Sequence, residues 1–169
     1  MAEGGTNDQI MKEMEGNLLP LWNSISSSQS GGVEQGIEIR VARPTDRLPE
    51  VLAFYRDGLG LPVLGHFEGH AGYSGVMFGL PDSRCHLEFT HFDQGSPCPA
   101  PTKDNLLVLY MPNLQIHAAT VARLRTQGHD PVEPENPYWK EDCLTFEDPD
   151  GWRVVLCQGN AFTRYGATS

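Results

Sequence analysis

The sequence predicts an α+β fold: two βαβββ modules that form a curved mixed sheet, with both helices outside and a cup between them. Two observations predict it. A strand–helix–strand–strand–strand unit occurs twice, with its helix-cap candidates Asp46 and Asn113 lying 67 residues apart and the runs FGLPD and FEDPD lying 68 apart. Duplication at one period outweighs any single short motif. Each half is also too short to bury a core on both faces of its own sheet. A domain of this whole length removes about 70% of its unfolded surface from water, so the halves are expected to share what they bury. A concave junction between them is the natural place for a small ligand.

The elements follow in order. Residues 1–35 form an N-terminal extension, in which Ile10, Met14 and Leu18 have the spacing of a short amphipathic helix ahead of a Ser/Gly linker, SSSQSGG. The first module spans 36–92. GIEIRVAR alternates as a strand, and PTDRLPEVLAFYRDGLG reads as a helix capped by Thr45 or Asp46. Pro49 is tolerated in its first turn, Leu48, Val51, Leu52 and Tyr55 form its apolar stripe, and Gly58 or Gly60 ends it. LPVLGHF, YSGVMFGL and RCHLEFTHF are three strands separated by glycine-rich turns. A proline-rich connector leads to the second module, 104–158. There NLLVLYM is a strand, and the next helix is capped by Asn113, striped by Leu114, Ala118, Val121 and Leu124, and stopped by Gly128. HDPVEP, DCLTFED and WRVVLCQ are expected as its last three strands, and 159–169 is a tail.

Composition narrows the function. Twenty-two acidic against twelve basic residues give a formal charge of −10, and no Lys/Arg cluster offers a surface for nucleic acid or an anionic membrane. The N-terminus carries acids where a signal peptide needs positive charge, and no apolar run approaches the roughly 18 residues of a membrane span, so a cytoplasmic protein is expected. Cys85, Cys98, Cys143 and Cys157 form no C-x-x-C pair. Cys143 and Cys157 flank EDPDG and can meet across a hairpin, although reduced thiols are expected in that compartment.

VARPTDRLPEVLAFYRDGLGLPVL, LEFTHF and FEDPDGWRVVL together resemble, in order, the opening, fourth-strand and closing signatures of the vicinal-oxygen-chelate superfamily, which includes glyoxalase I, bleomycin-resistance proteins and extradiol dioxygenases. The resemblance covers about residues 36–158. It implies the paired-module cup and a homodimer, but not one activity, because the same scaffold carries several. The metal-dependent members place two ligands on each module. Mapped by motif, those positions fall on Ile39, Glu88, Leu106 and Val155, of which only Glu88 has a lone pair to give. No metal and no cofactor are therefore expected.

The remaining candidates come from strand alternation. His86 and Glu88 share a face with Thr90, and Ile39, Val41 and Arg43 are assigned to the matching face of the first strand. Glu88 and His86 are the candidate catalytic pair, a general base with a relay. Arg43 is the candidate anion contact, by its own fork chemistry and by resemblance to an arginine of glyoxalase I. His66, His70 and Tyr73 from GHFEGHAGYSG, Tyr110 on the fifth strand, and Tyr138 and Trp139 from PENPYWKED are expected to contact a ring-containing ligand. The expected function is a metal-free protein that binds a small aromatic or anionic molecule. The alternatives are a metal-free isomerase, epimerase or lyase with Glu88 as base and, behind it, a metal-dependent glyoxalase- or dioxygenase-type enzyme.

Overall fold

Alternating apolar residues and glycine turns produce the expected element order in the first module, and all but one strand of it in the second, in a computed structural model that describes residues 38–161 apart from position 82. The proposed N-terminal helix and most of the tail lie outside the described residues. In the first module, strand β1 (Ile39–Pro44) leads into helix α1, whose α-helical turn Leu48–Leu52 continues as a π-wound turn, Ala53–Gly58. Strands β2 (Val63–His70), β3 (Tyr73–Gly79) and β4 (Cys85–Phe92) follow. They form a sheet in the order β1-β4-β3-β2, with β1 parallel to β4 and the other pairs antiparallel. The second module contributes β5 (Leu106–Met111), helix α2 (Leu114–Thr126), β6 (Cys143–Glu147) and β7 (Arg153–Gln158), paired as β5-β7-β6.

The strand expected over HDPVEP does not form. Val132 makes an isolated bridge with Thr145, flanked by Pro131 and Pro134. Two prolines in four residues remove the donors a ladder needs, so pairing stops at one residue. A 3-10 turn, Pro137–Lys140, follows instead, with the Asn136 side chain accepting from the Tyr138 N–H at 3.0 Å.

The first helix starts one residue later than the sequence suggests. Its N-cap is Arg47, whose N–H donates to Thr45 Oγ1 at 2.9 Å, while Asp46 turns aside to accept from the Ser96 N–H. The second helix begins as expected, with Asn113 Oδ1 accepting from the N–H groups of Gln115 and Ile116. Its inward face is rotated, however: His117, Thr120, Val121 and Leu124 are buried, whereas Leu114 and Ala118 are exposed. The two polar residues are tolerated inside because each has a partner. His117 Nε2 lies 3.3 Å from the Leu156 carbonyl, and Thr120 Oγ1 accepts from Arg123 at 2.9 Å.

One core joins the modules. Val51, Phe54, Tyr55 and Leu59 of the first helix region pack with Val121 and Leu124 of α2, with Phe78, Leu87 and Phe89 of one sheet, and with Phe146, Val154 and Leu156 of the other. Arg123 braces the helix junction by donating to the carbonyls of Gly58 (3.1 Å) and Leu59 (3.2 Å), where a cation suits the end of a helix. Gly60 has φ +78° there, and a Cβ on it would come within 2.8 Å of the Arg123 guanidinium. Both helices thus cover one side of the sheets, and the candidate site lies on the other.

Candidate functional site

Strand register decides which residues share a face, because side chains directly opposite on neighbouring strands point the same way. Leu87 and Phe89 enter the core, so His86, Glu88 and Thr90 face away from the helices, as alternation on β4 suggests. The same register corrects the first strand. Arg40 stands opposite His86 and Ala42 opposite Glu88, whereas Ile39, Val41 and Arg43 stand opposite Cys85, Leu87 and Phe89 on the helix side. Arg40 and Leu106 each lie seven residues ahead of a helix N-cap, Arg47 and Asn113. The position equivalent to Leu106 is therefore Arg40 and not Ile39.

Arg40 organises this face. Its Nη1 forms an ion pair with Glu88 Oε2 at 2.7 Å, its Nε donates to His86 Nε2 at 2.7 Å, and its Nη2 approaches the Met77 sulfur at 4.0 Å. Glu88 is 8% exposed, whereas the Arg40 side chain is 52% exposed. The carboxylate is thus the buried partner and the guanidinium its lid toward solvent. Apolar cover comes from residues laid flat over glycines. A Cβ on Gly75 would come within 2.7 Å of the Phe67 ring and 2.8 Å of the Phe89 carbonyl, so the missing side chain is what lets the ring lie across β3.

The second sheet turns an apolar face the same way. Leu106, Val108 and Tyr110 of β5 pack with Cys143, Val155 and Cys157, and Trp139 rests against them from the 3-10 turn. Tyr110 and Trp139 thus share one surface, and the exposed Tyr138 meets the Trp139 ring edge-on at 4.8 Å. Cys143 and Cys157, directly opposite in the β6–β7 pairing, are joined by a disulfide, which corrects the expectation of reduced thiols. Cys85 and Cys98 are free.

The loop candidates separate. Tyr73 is opposite Phe92 on the Glu88 side of the first sheet, with the two rings 4.7 Å apart, and His70 is its hairpin partner. His66 is opposite the core residue Val76, so it projects from the other side of edge strand β2.

Arg43 does not meet Glu88 at all. It lies on the helix side with its guanidinium between two rings, 4.8 Å from the Phe89 centroid and 4.5 Å from that of Trp152. It pairs with Asp148 and donates to the Tyr55 hydroxyl at 3.3 Å, and Tyr55 donates to the same Asp148 oxygen at 2.9 Å. The other Asp148 oxygen accepts from the N–H groups of Asp150 (2.9 Å) and Trp152 (2.8 Å). Burial, reinforced by the Asp148 charge, pushes the Tyr55 phenol far up, so it remains a donor. Burial also pushes the Asp150 carboxyl up and the His129 ring down. Asp148 therefore ties the closing hairpin to the first module, a role alternation alone did not reveal.

A metal does not fit the equivalent positions. Arg40, Glu88, Leu106 and Val155 supply a single carboxylate, which is already paired with a guanidinium, so an incoming divalent cation would face a like charge. Among the described residues, no three His, Cys, Asp or Glu side chains are grouped to hold a metal ion.

Comparison with known proteins agrees with this fold. Residues 39–90 match the YycE-like N-terminal domain, and residues 104–158 match the YycE-like C-terminal domain. The YycE protein of Bacillus subtilis (strain 168) is 51% identical over 122 residues, covering 72% of this chain and 88% of that protein. A crystal structure of a B. subtilis YycE protein superposes with a TM-score of 0.71 at 48% identity, covering 75% of this chain and 92% of that one. Two more distant structures share the fold. Glyoxalase I of Leishmania major has a TM-score of 0.59 at 19% identity, covering 77% and 91% of the two chains. TnmS3, an antibiotic-binding protein from Streptomyces sp. CB03234, has a TM-score of 0.53 at 21% identity, covering 76% and 100%. The chain belongs to the YycE-like family of the vicinal-oxygen-chelate superfamily.

Proposed function

We propose that this protein binds a small aromatic or anionic molecule without a catalytic metal, against the faces that carry Arg40–Glu88 and Tyr110–Trp139. The observation that carries this reading is the Arg40–Glu88 pair, in which a guanidinium engages the one carboxylate among the four positions that the family resemblance maps to metal ligands. Arg40 keeps a half-exposed guanidinium beside Met77, with the Phe67 ring further across the same face, which suits a ring bearing an acidic group. The fold itself does not choose, since one distant neighbour is an enzyme and another a binding protein.

The test is native mass spectrometry and elemental analysis of the full chain, followed by fluorescence titration with 1-anilinonaphthalene-8-sulfonate, an aromatic anion. Saturable binding is expected, weakened about tenfold by Arg40→Met, the equivalent of about 1.4 kcal/mol for one charged contact. Stoichiometric metal in the purified protein, or equal affinity in the variant, would contradict the proposal. A second reading is a metal-free isomerase, epimerase or lyase with Glu88 as base. It draws on Arg40 fixing Glu88 and His86 side by side, but ranks second because the carboxylate is already engaged.

The same reading includes a homodimer. β1 and β5 are edge strands, and Ile39 and Val41 on β1 leave 53% and 52% of their surface in water. A second copy would cover such an edge. Sedimentation at micromolar concentration should give twice the 18.7 kDa chain mass, and the mass of a single chain would refute this assembly. The cytoplasm is the compartment we propose; the free thiols of Cys85 and Cys98 suit it, whereas the Cys143–Cys157 disulfide is unusual there. Among the described residues, no helix is long and apolar enough to cross a membrane.

A further inference from the structure

The Cys143–Cys157 bond lies on the face with Leu106, Val108, Tyr110, Val155 and Trp139. Its two halves differ in freedom. Cys157 is on the central strand of the β5-β7-β6 sheet and has no exposure. Cys143 is the first residue of the edge strand β6, is 7% exposed, and follows Asp142, a non-glycine residue held at φ 54°. That left-handed conformation is disfavoured and persists here with the Asp142 carbonyl accepting from the Gln158 N–H at 2.8 Å. The 3-10 turn Pro137–Lys140, which carries Trp139, lies just upstream.

We propose that Cys143–Cys157 is a thiol-exchange site for low-molecular-weight thiols, and that opening it moves Trp139 off the apolar face. A thiolate attacks Cys143 Sγ, since Cys143 is the residue of the pair that keeps any exposure. A new S–S bond forms to Cys143 while the Cys143–Cys157 bond breaks, and its electron pair leaves on Cys157 Sγ, which takes up a proton. A second thiolate then attacks the small-molecule sulfur of the mixed disulfide. Cys143 leaves as a thiolate and is protonated, and the two small thiols depart as their disulfide, having supplied two electrons and two protons.

Two thiols need more separation than one bond allows. Cys157 is fixed by strands on both sides, so Cys143 must yield. The start of β6 then relaxes at Asp142, and the adjoining turn carries Trp139 outward. Exchange would thus reshape the aromatic half of the face without touching Arg40 or Glu88.

The experiment uses the full chain with Cys85→Ser and Cys98→Ser, so that only this pair reports. The protein is equilibrated across a glutathione/glutathione-disulfide series, acid-quenched, alkylated with N-ethylmaleimide under denaturing conditions and weighed intact. Fluorescence is read in parallel, with Trp139→Phe as the control. We expect conversion from no alkyl groups to two within the series, an unchanged far-UV circular dichroism spectrum, and a fluorescence change that tracks conversion and vanishes in Trp139→Phe. A pair that stays bonded or stays alkylated throughout would overturn the proposal. So would a signal indifferent to Trp139, and so would loss of fold on reduction, which would make the bond a staple. None of these readouts uses a ligand, so the result is independent of the binding proposal.

Discussion

Asp148→Ala is expected to destabilise the protein by about 3–5 kcal/mol, because it strands a buried charge and opens a turn at once. Asp148 is 4% exposed and accepts from four donors: Arg43, Tyr55 and the N–H groups of Asp150 and Trp152. The alanine leaves the Arg43 guanidinium, with a side chain 12% exposed, stacked between Phe89 and Trp152 and without its counter-ion. Its Nε already has no partner, so the site has little reserve. Asp148→Asn keeps an oxygen for the two turn N–H groups but turns an amide NH2 toward Arg43 and Tyr55, losing the charge and their acceptor. Because the turn stays closed, it should cost less than the alanine. Urea denaturation of the three proteins measures the order. An alanine cost below about 1 kcal/mol would mean that the network contributes no more than an exposed pair does.

Arg40→Met is expected to cost more stability than Glu88→Gln, although both break the same ion pair. The buried partner decides the sign of this difference. Removing Arg40 leaves a carboxylate that is 8% exposed without its cation, at a cost of about 1–3 kcal/mol. Removing the Glu88 charge frees a half-exposed guanidinium that water solvates, for about 0–1 kcal/mol. Paired denaturation curves, with the double variant completing the cycle, would show this asymmetry. Equal losses, or the reverse order, would contradict a buried-carboxylate, exposed-lid geometry.

The duplicated pattern made the architecture legible, and period-two alternation placed Glu88 and His86 on one face and Tyr110 on the open side of β5. Arg40 was not found, for a specific reason. Thr45 and Asp46 are good capping residues, but they serve the loop at Ser96 and the strand exit, and the helix starts from Arg47, which has no capping side chain. A cap misplaced by one residue shifts the strand register by one, and in a strand that moves every side chain to the other face. Ile39 and Arg43 were thereby exchanged for Arg40. The spacing from Leu106 to Asn113 held the correction, since the same interval counted back from Arg47 ends on Arg40. The missing strand near Val132 was foreshadowed by Pro131 and Pro134. The role of Asp148 between the modules was not, because Arg43 and Tyr55 come from far away in the chain and no local pattern brings them to the turn that Asp150 and Trp152 close.

The π-wound turn, Ala53–Gly58, makes chain length itself informative. The Leu59 N–H reaches back to the Phe54 carbonyl at 2.9 Å, one residue further than an α-helix would span. That surplus residue sets the phase at which two successive aromatics both turn inward, Phe54 edge-on to His129 and Tyr55 onto Phe89. In ordinary α-winding, a deletion here would rotate everything on one side of it by about 100° relative to the other. The Tyr55 hydroxyl would then swing away from Asp148. A substitution at the exposed Asp57 can be absorbed by shifting neighbours, but an altered residue count cannot, so the turn acts as a spacer that keeps one module in step with the other.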